Sequence, residues 1–302
     1  MNSLAPASDL RDALDRGTVL LDGGLGTLLE QRGHDLTSEL WSARMLIEQP
    51  DTIRAAHREF FDAGAQVGIS ASYQVSYEGL SAIGIDRAAT DRLLALSVRL
   101  VAAAKSDAGA QGWVAASVGP YGAMQADGSE YRGDYALTVA QLRAWHAPRL
   151  RTLMDAGADV LAIETIPCLA EVEAVLGEVQ GSGMPAWLAV TAAMGTLRSG
   201  ESLAQAYAMA DDVDEIIAFG INCSDPLDVA SAIAAARGVT SKPIVVYPNS
   251  GEQWDAKNRR WMGTPGFPAS LVREWRDAGA SLIGGCCRVG PAEITALGSA
   301  LI

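Results

Sequence analysis

Consecutive apolar positions such as Val160-Leu161-Ala162-Ile163 and Ile244-Val245-Val246 leave no polar face for solvent. That is the pattern of a parallel strand covered on both sides, and such a strand must be followed by a crossover, usually a helix, before the next one. Eight such runs are legible, at 18–21, 66–70, 113–118, 159–163, 187–191, 216–221, 243–247 and 281–284, each followed by a stretch of helical periodicity. Strand then helix, eight times over, predicts an α/β chain of the (β/α)8 TIM-barrel type, read as a single domain over 1–302.

The tetrapeptide Asp-Ala-Gly-Ala recurs at 62–65, 155–158 and 277–280, each copy ending a helical pattern just before a strand. Its glycine can take the left-handed conformation that stops a helix, so these are short helix-to-strand junctions. The opposite junctions are long, at 22 to about 49, 71 to about 85, 119–133 and 248 to about 265. Long loops at one end of a barrel mark the C-terminal ends of the strands as the working face. Pro148 falls inside the helical pattern before the fourth strand and predicts a kink or a split helix there.

The net charge of −13 repels phosphate backbones and anionic lipid surfaces, so no nucleic-acid or membrane partner is expected. No stretch approaches 18 uninterrupted apolar residues, and residues 1–11 lack a basic segment followed by an apolar one. Four cysteines are too few for a disulfide scaffold and fit a reducing compartment, which makes the cytoplasm the expected location.

Three of those cysteines fall at strand ends: Cys223 after the sixth strand, and Cys286 and Cys287 after the eighth. Three thiolates fill three corners of a zinc tetrahedron and leave the fourth for water or substrate. Neighbouring residues on a regular strand point to opposite faces, so Cys286 and Cys287 can share one ion only off the strand, and Gly284-Gly285 is read as the source of that freedom. Ordinary buried cysteines and a vicinal disulfide are the alternatives, the second disfavoured by a reducing compartment. Cys168, after Pro167 at a helix start, is read as structural.

Carboxylates end two other strands, Asp22 the first and Glu164 the fourth. A carboxylate at that position opens into the barrel mouth, and the two together could hold an ammonium group. Gly23 and Gly24 follow Asp22 and could offer backbone N–H groups to a carboxylate, which completes an expected amino-acid ligand. Aromatic residues crowd the long loops: Trp41, Tyr73, Tyr77, Tyr121, Tyr131, Trp254 and Trp261. Their faces suit a sulfonium or quaternary ammonium group, although single loop aromatics also serve as packing anchors. None of Lys105, Lys242 and Lys257 ends a strand, which argues against a Schiff-base aldolase. His34, His57 and His146 fall in a loop and in helices, which argues against a histidine-rich metal site.

Taken together, the segments DGGLGT at 22–27, AIET at 162–165, GINCS at 220–224, YPNSGE at 247–252 and GGCCRVGP at 284–291 resemble the homocysteine S-methyltransferase family. The resemblance runs from about residue 17 to 301. It implies a zinc ion on Cys223, Cys286 and Cys287, a homocysteine ammonium on Asp22 and Glu164, and further substrate contacts from Gly23, Gly24, Trp41, Tyr73, Tyr121 and Asn249. Betaine-using members of the family carry Tyr after the strand-four Glu and a long C-terminal arm, whereas this chain has Thr165 and stops at Ile302. The resemblance therefore implies the shorter branch, which methylates homocysteine to methionine from S-methylmethionine or S-adenosylmethionine. Its partners would be those small molecules. Alternatives are a betaine-homocysteine methyltransferase, a barrel isomerase or lyase with a phosphate at Gly284-Gly285, and a non-catalytic zinc- or thiol-binding barrel.

Overall fold

The computed structural model describes residues 9–34, 36, 41–255, 260–263, 266 and 268–301, and of these the side chains at 41–43, 253–255, 260 and 261 lie outside the described set. Eight parallel strands form the barrel: β1 (Val19–Leu20), β2 (Val67–Ile69), β3 (Trp113–Val118), β4 (Val160–Ile166), β5 (Ala186–Val190), β6 (Ile216–Asn222), β7 (Ile244–Tyr247) and β8 (Ala280–Ile283). Neighbours run β1-β8-β7-β6-β5-β4-β3-β2. The ring closes through a parallel bridge between Leu21 and Val67, with the Asp22 N–H donating to the Val67 carbonyl at 3.0 Å.

The apolar runs divide by alternation, as a strand covered on both faces requires. Leu161, Ile163, Leu188, Ile221 and Val246 point outward into the layer shared with helix residues such as Ile53, Phe60, Val101 and Ile294. Their neighbours Ala115, Ala162, Ala189 and Ala218 point inward, and these small side chains leave room inside for Trp187 and Tyr247. The Trp187 indole donates to the Tyr247 hydroxyl at 3.0 Å, and the rings meet edge to face. Leu10 and Leu14 of the first helix, Leu10–Arg16, join this inner cluster beside Trp113, Val160 and Ile217. Those residues begin or nearly begin their strands, so the helix plugs the N-terminal end of the barrel.

The glycines of all three Asp-Ala-Gly-Ala repeats have positive φ, at Gly64, Gly157 and Gly279. The helix Val139–Met154 runs unbroken through Pro148, so the expected split does not occur. A capping box between Thr138 and Gln141 fixes its start, and the Thr152 hydroxyl bonds the Pro148 carbonyl within it. The long junctions also hold more regular structure than expected. Helices Leu25–Gln31 and Trp41–Glu48 follow β1, helix Tyr121–Gln125 and the turn Ser129–Tyr131 follow β3, and a hairpin of Gln253–Asp255 with Arg260–Met262 follows β7. Among the described residues no helix is long and apolar enough to cross a membrane.

Candidate active site and metal centre

Cys223 is the first residue past β6, and it holds a left-handed backbone at φ 46°. Thr165, in β4, is left-handed as well, at φ 62°. Asn222 spans the two strand ends: its Oδ1 accepts from the Thr165 N–H at 2.7 Å and its Nδ2 donates to the Thr165 hydroxyl at 2.8 Å. Left-handed backbone costs a β-branched residue on the order of 1–2 kcal/mol, and this clasp offsets part of it.

Cys286 and Cys287 lie in a turn that closes with the Val289 N–H on the Cys286 carbonyl at 3.1 Å. The segment after β7 holds that turn from one side. The Cys286 N–H donates to the Pro248 carbonyl at 2.8 Å, the Cys287 N–H to Asn249 Oδ1 at 3.1 Å, and the Ser250 N–H to the Cys287 carbonyl at 3.0 Å. A forked ion pair then ties Arg288 to Glu252 at 2.9 and 3.1 Å, and the pairing draws the Glu252 carboxyl below its usual range. Gly23 and Gly24 press on the same turn from the other side, where a Cβ at either would collide with the Val289 or Cys286 carbonyl.

These contacts correct two expectations. The Gly24 N–H is bonded to the Val289 carbonyl at 2.9 Å, so it is not free to bind an anion. Gly284 and Gly285 are not left-handed; they admit Leu21 and Val289 at close range, while Arg288 takes the positive φ of 67°. The turn itself brings the vicinal cysteines to one side. The Sγ atoms of Cys223, Cys286 and Cys287 lie within 4.8 Å of one another. Cys223 and Cys286 are bonded as a disulfide, with Cα atoms 5.5 Å apart, and Cys287 is a free thiol that burial pushes up to about 11. The bonded pair thus bridges two strand ends and is not the vicinal pair.

The three cysteines line a cavity of about 370 Å³ together with Tyr73, Glu130, Tyr131, Glu164 and Tyr247. Among its described lining residues there is no Lys, Arg or His. Glu164, 7% exposed, accepts from the Ser117 hydroxyl at 2.5 Å and from the Tyr247 hydroxyl, yet burial raises its pKa to about 7. Asp22, 2% exposed, does not line the cavity itself; it accepts from the N–H of Ile69, which does, at 2.8 Å. Burial first and the charge of Glu164 second raise the Asp22 pKa well above the ordinary carboxylate range. Glu164, a buried acid on a wall whose described residues include no base, with Asp22 buried behind that wall, makes a site for a cation.

Tyr73 reaches the cavity and hydrogen-bonds Thr165. Tyr121 does not: it packs edge-on against Tyr135 and Trp145, with centroids 5.3 and 5.2 Å away, because the chain after β3 coils into a helix that turns the ring outward. Tyr77 likewise faces Asp91, Thr152 and Arg87 on the outer helices. The backbone of Trp41 opens the helix Trp41–Glu48, but its side chain lies outside the described residues, as do those of Trp254 and Trp261. Asn249 lines an adjoining cavity that shares Tyr131 and Cys287 with this one, and its Oδ1 also fixes the Cys287 backbone. Cys168 is buried away from the cavity with its pKa pushed up to about 12, as an inert core thiol should be. His57 and His146 are buried in helices outside the cavity.

Four residues here escaped the sequence reading: Ser117, Glu130, Asn222 and Tyr247. Tyr247 ends the seventh strand, so the strand-end argument that singled out Asp22 and Glu164 applies to it equally. Glu130 sits in a polar loop sequence, Gly128-Ser129-Glu130-Tyr131, that carries no such signal.

A family profile described as homocysteine S-methyltransferase matches residues 19–301. The homocysteine S-methyltransferase YbgG of Bacillus subtilis (strain 168) is 42% identical over 294 residues, spanning 91% of this chain and 92% of its own length. The homocysteine S-methyltransferase of Escherichia coli (strain K12) is 42% identical over 305 residues, spanning 95% and 97%. The crystal structure of the homocysteine methyltransferase MmuM from Escherichia coli in its metallated form superposes with a TM-score of 0.86 at 40% identity, covering 97% of this chain and 99% of that one.

Proposed function

The chain belongs to the homocysteine S-methyltransferase family, and from that membership we propose zinc-dependent methyl transfer to homocysteine from S-methylmethionine, with S-adenosylmethionine as an alternative donor. Methylation of the homocysteine thiol is the activity shared by relatives that match nearly the whole chain. The observation that carries the fuller reading is the meeting of three sulfurs within 4.8 Å on the wall of a cavity whose other ionisable groups are acids and phenols.

With the Cys223–Cys286 bond reduced, Cys223, Cys286 and Cys287 fit zinc by donor type and number: three soft sulfurs, with a fourth position open to substrate. Such an ion would supply an acceptor sulfur that stays deprotonated, and still nucleophilic, at neutral pH. Glu164 would take the homocysteine ammonium, with Ser117 and Tyr247 aiming it and Asp22 adding negative charge from behind the cavity wall. Asn222 fixes the strand end that carries Cys223, while Asn249 and the Arg288–Glu252 pair fix the turn that carries Cys287.

In the transfer the methyl carbon leaves a sulfonium sulfur, which keeps the bonding electron pair, as the acceptor thiolate bonds that carbon. A cation and an anion become two neutral thioethers and no proton moves. Loss of charge is favoured where water is scarce, and holding both sulfurs in line makes the step effectively unimolecular. Thiols that must be reduced before they can hold an ion are kept so in a reducing compartment, for which we propose the cytoplasm.

The test follows label. With S-methylmethionine as donor, each turnover yields one methionine from the acceptor and one from the donor, so homocysteine labelled in its carbon chain gives labelled and unlabelled methionine in equal amounts. Formation of dimethylglycine from betaine, with no turnover of either sulfonium compound, would overturn the donor assignment.

A further inference from the structure

We infer that Glu130 is the counter-charge for the cationic methyl donor, with the rings of Tyr73 and Tyr131 completing its subsite. The inference rests on the sulfonium-donor reading above. Glu130 lines the same cavity as the three cysteines and Glu164. Its Oε2 is buried and has no hydrogen-bond partner, whereas Glu164 is engaged by Ser117 and Tyr247. Tyr73, Tyr131 and Cys287 line that cavity with Glu130, and Tyr131 is its neighbour in the chain. Arg132, two residues along, pairs with Asp127 and Asp134 at the surface.

The chemistry of a sulfonium group selects for such a place. It carries a full positive charge but no N–H or O–H, so it cannot satisfy an acceptor in the usual way and is held by negative charge and aromatic faces. An unpartnered buried carboxylate oxygen is costly, and a cation in the cavity relieves that cost by its charge even when it has no hydrogen to donate. The ring of Tyr131 already carries one cation, the Arg198 guanidinium, 5.5 Å from its centroid.

When the methyl carbon leaves, the electron pair remains on the donor sulfur and the positive charge is gone. Glu130 therefore holds the substrate in full, the transition state in part and the neutral thioether that follows not at all. Removing its charge weakens donor binding more than it slows the chemical step.

The experiment uses the zinc-loaded protein and the substitution E130Q. The KM for S-methylmethionine rises tenfold or more, the rate at saturating donor falls less than threefold, and the KM for homocysteine stays within twofold. Calorimetry without homocysteine separates charge from packing: E130Q loses tenfold or more in affinity for S-methylmethionine but less than twofold for methionine, the neutral thioether of the same skeleton. Equal losses for the two ligands, or none for the sulfonium, would overturn the assignment. Should E130Q not fold, the wild-type affinities decide, and a preference below threefold for S-methylmethionine over methionine overturns it. If the wild-type protein turns over no sulfonium donor, the functional reading fails on its own, and the two binding constants still judge Glu130.

Discussion

Asn222 and Thr165 exchange two hydrogen bonds, of 2.7 and 2.8 Å, across the open ends of β6 and β4. One strand end carries Cys223 and the other carries Glu164, so a single buried amide sets the spacing between a candidate metal ligand and a candidate substrate carboxylate. Asn222→Ala removes both bonds and strands the Thr165 N–H, at an expected cost of about 2–4 kcal/mol. Denaturant unfolding measures the loss. Turnover should drop further than the small unfolded fraction accounts for, and a variant with wild-type stability and turnover would show the clasp to be incidental.

The second prediction concerns the sulfurs. Alanine at Cys223, Cys286 or Cys287 is expected to abolish activity and to lower zinc, measured by elemental analysis of reduced protein, far below one ion per chain. Cys168→Ala should leave both intact, because that thiol is buried elsewhere. After chelation the disulfide between Cys223 and Cys286 is the expected resting form, so activity should return with reductant plus zinc and with neither alone. Full activity in chelated protein would remove zinc from the mechanism.

Glu164→Gln tests the acceptor site. Losing a hydrogen bond to a charged group should weaken homocysteine binding by about 1.5–3 kcal/mol, with a smaller change for the donor. Steady-state kinetics varying each substrate in turn separates the two, and unchanged homocysteine kinetics would move the ammonium site elsewhere.

The same carboxylate carries a pH signature. Burial raises its folded pKa to about 7 from an ordinary 4.5, so the unfolded chain gives up this proton first as pH rises. Stability from Glu164 is then fully present below about pH 4.5 and is lost as pH climbs through about 7, a change on the order of 2–4 kcal/mol. Without substrate, Glu164→Gln should unfold at a higher temperature than the wild type at pH 8 and at a similar one at pH 4.5. Added homocysteine, whose ammonium offsets the buried charge, should narrow the gap at pH 8 only in the wild type. Identical pH profiles for the two proteins would contradict the assignment.

The barrel was readable from sequence because burial on both faces of a parallel strand writes itself as consecutive apolar residues. Strand ends were readable for the same reason: Asp22, Glu164, Cys223 and the Cys286-Cys287 pair interrupt apolar runs. What the loops do was not, since a loop's direction depends on partners distant in sequence. Tyr121 shows this, its ring taken up by Tyr135 and Trp145 on the outside, and so does Asn249, which serves the Cys287 backbone. Gly24 was noticed for the right feature and the wrong reason, its N–H being taken by Val289. Glycine there admits the Cys286–Val289 turn, and only the folded chain brings that turn alongside.

That contact between the first loop and the last has a bearing on how the protein matures. The Arg288 N–H is bonded to the Thr27 hydroxyl, a partner 261 residues away. Contacts of such separation close late, after the intervening strands have docked, because the loop entropy must be overcome first. An incompletely wound chain has its two cysteine segments but not the geometry that gathers them. The turn that carries both vicinal cysteines therefore gains its last support only when the first loop docks against it, so the two ends of the chain finish the wall of the cavity together.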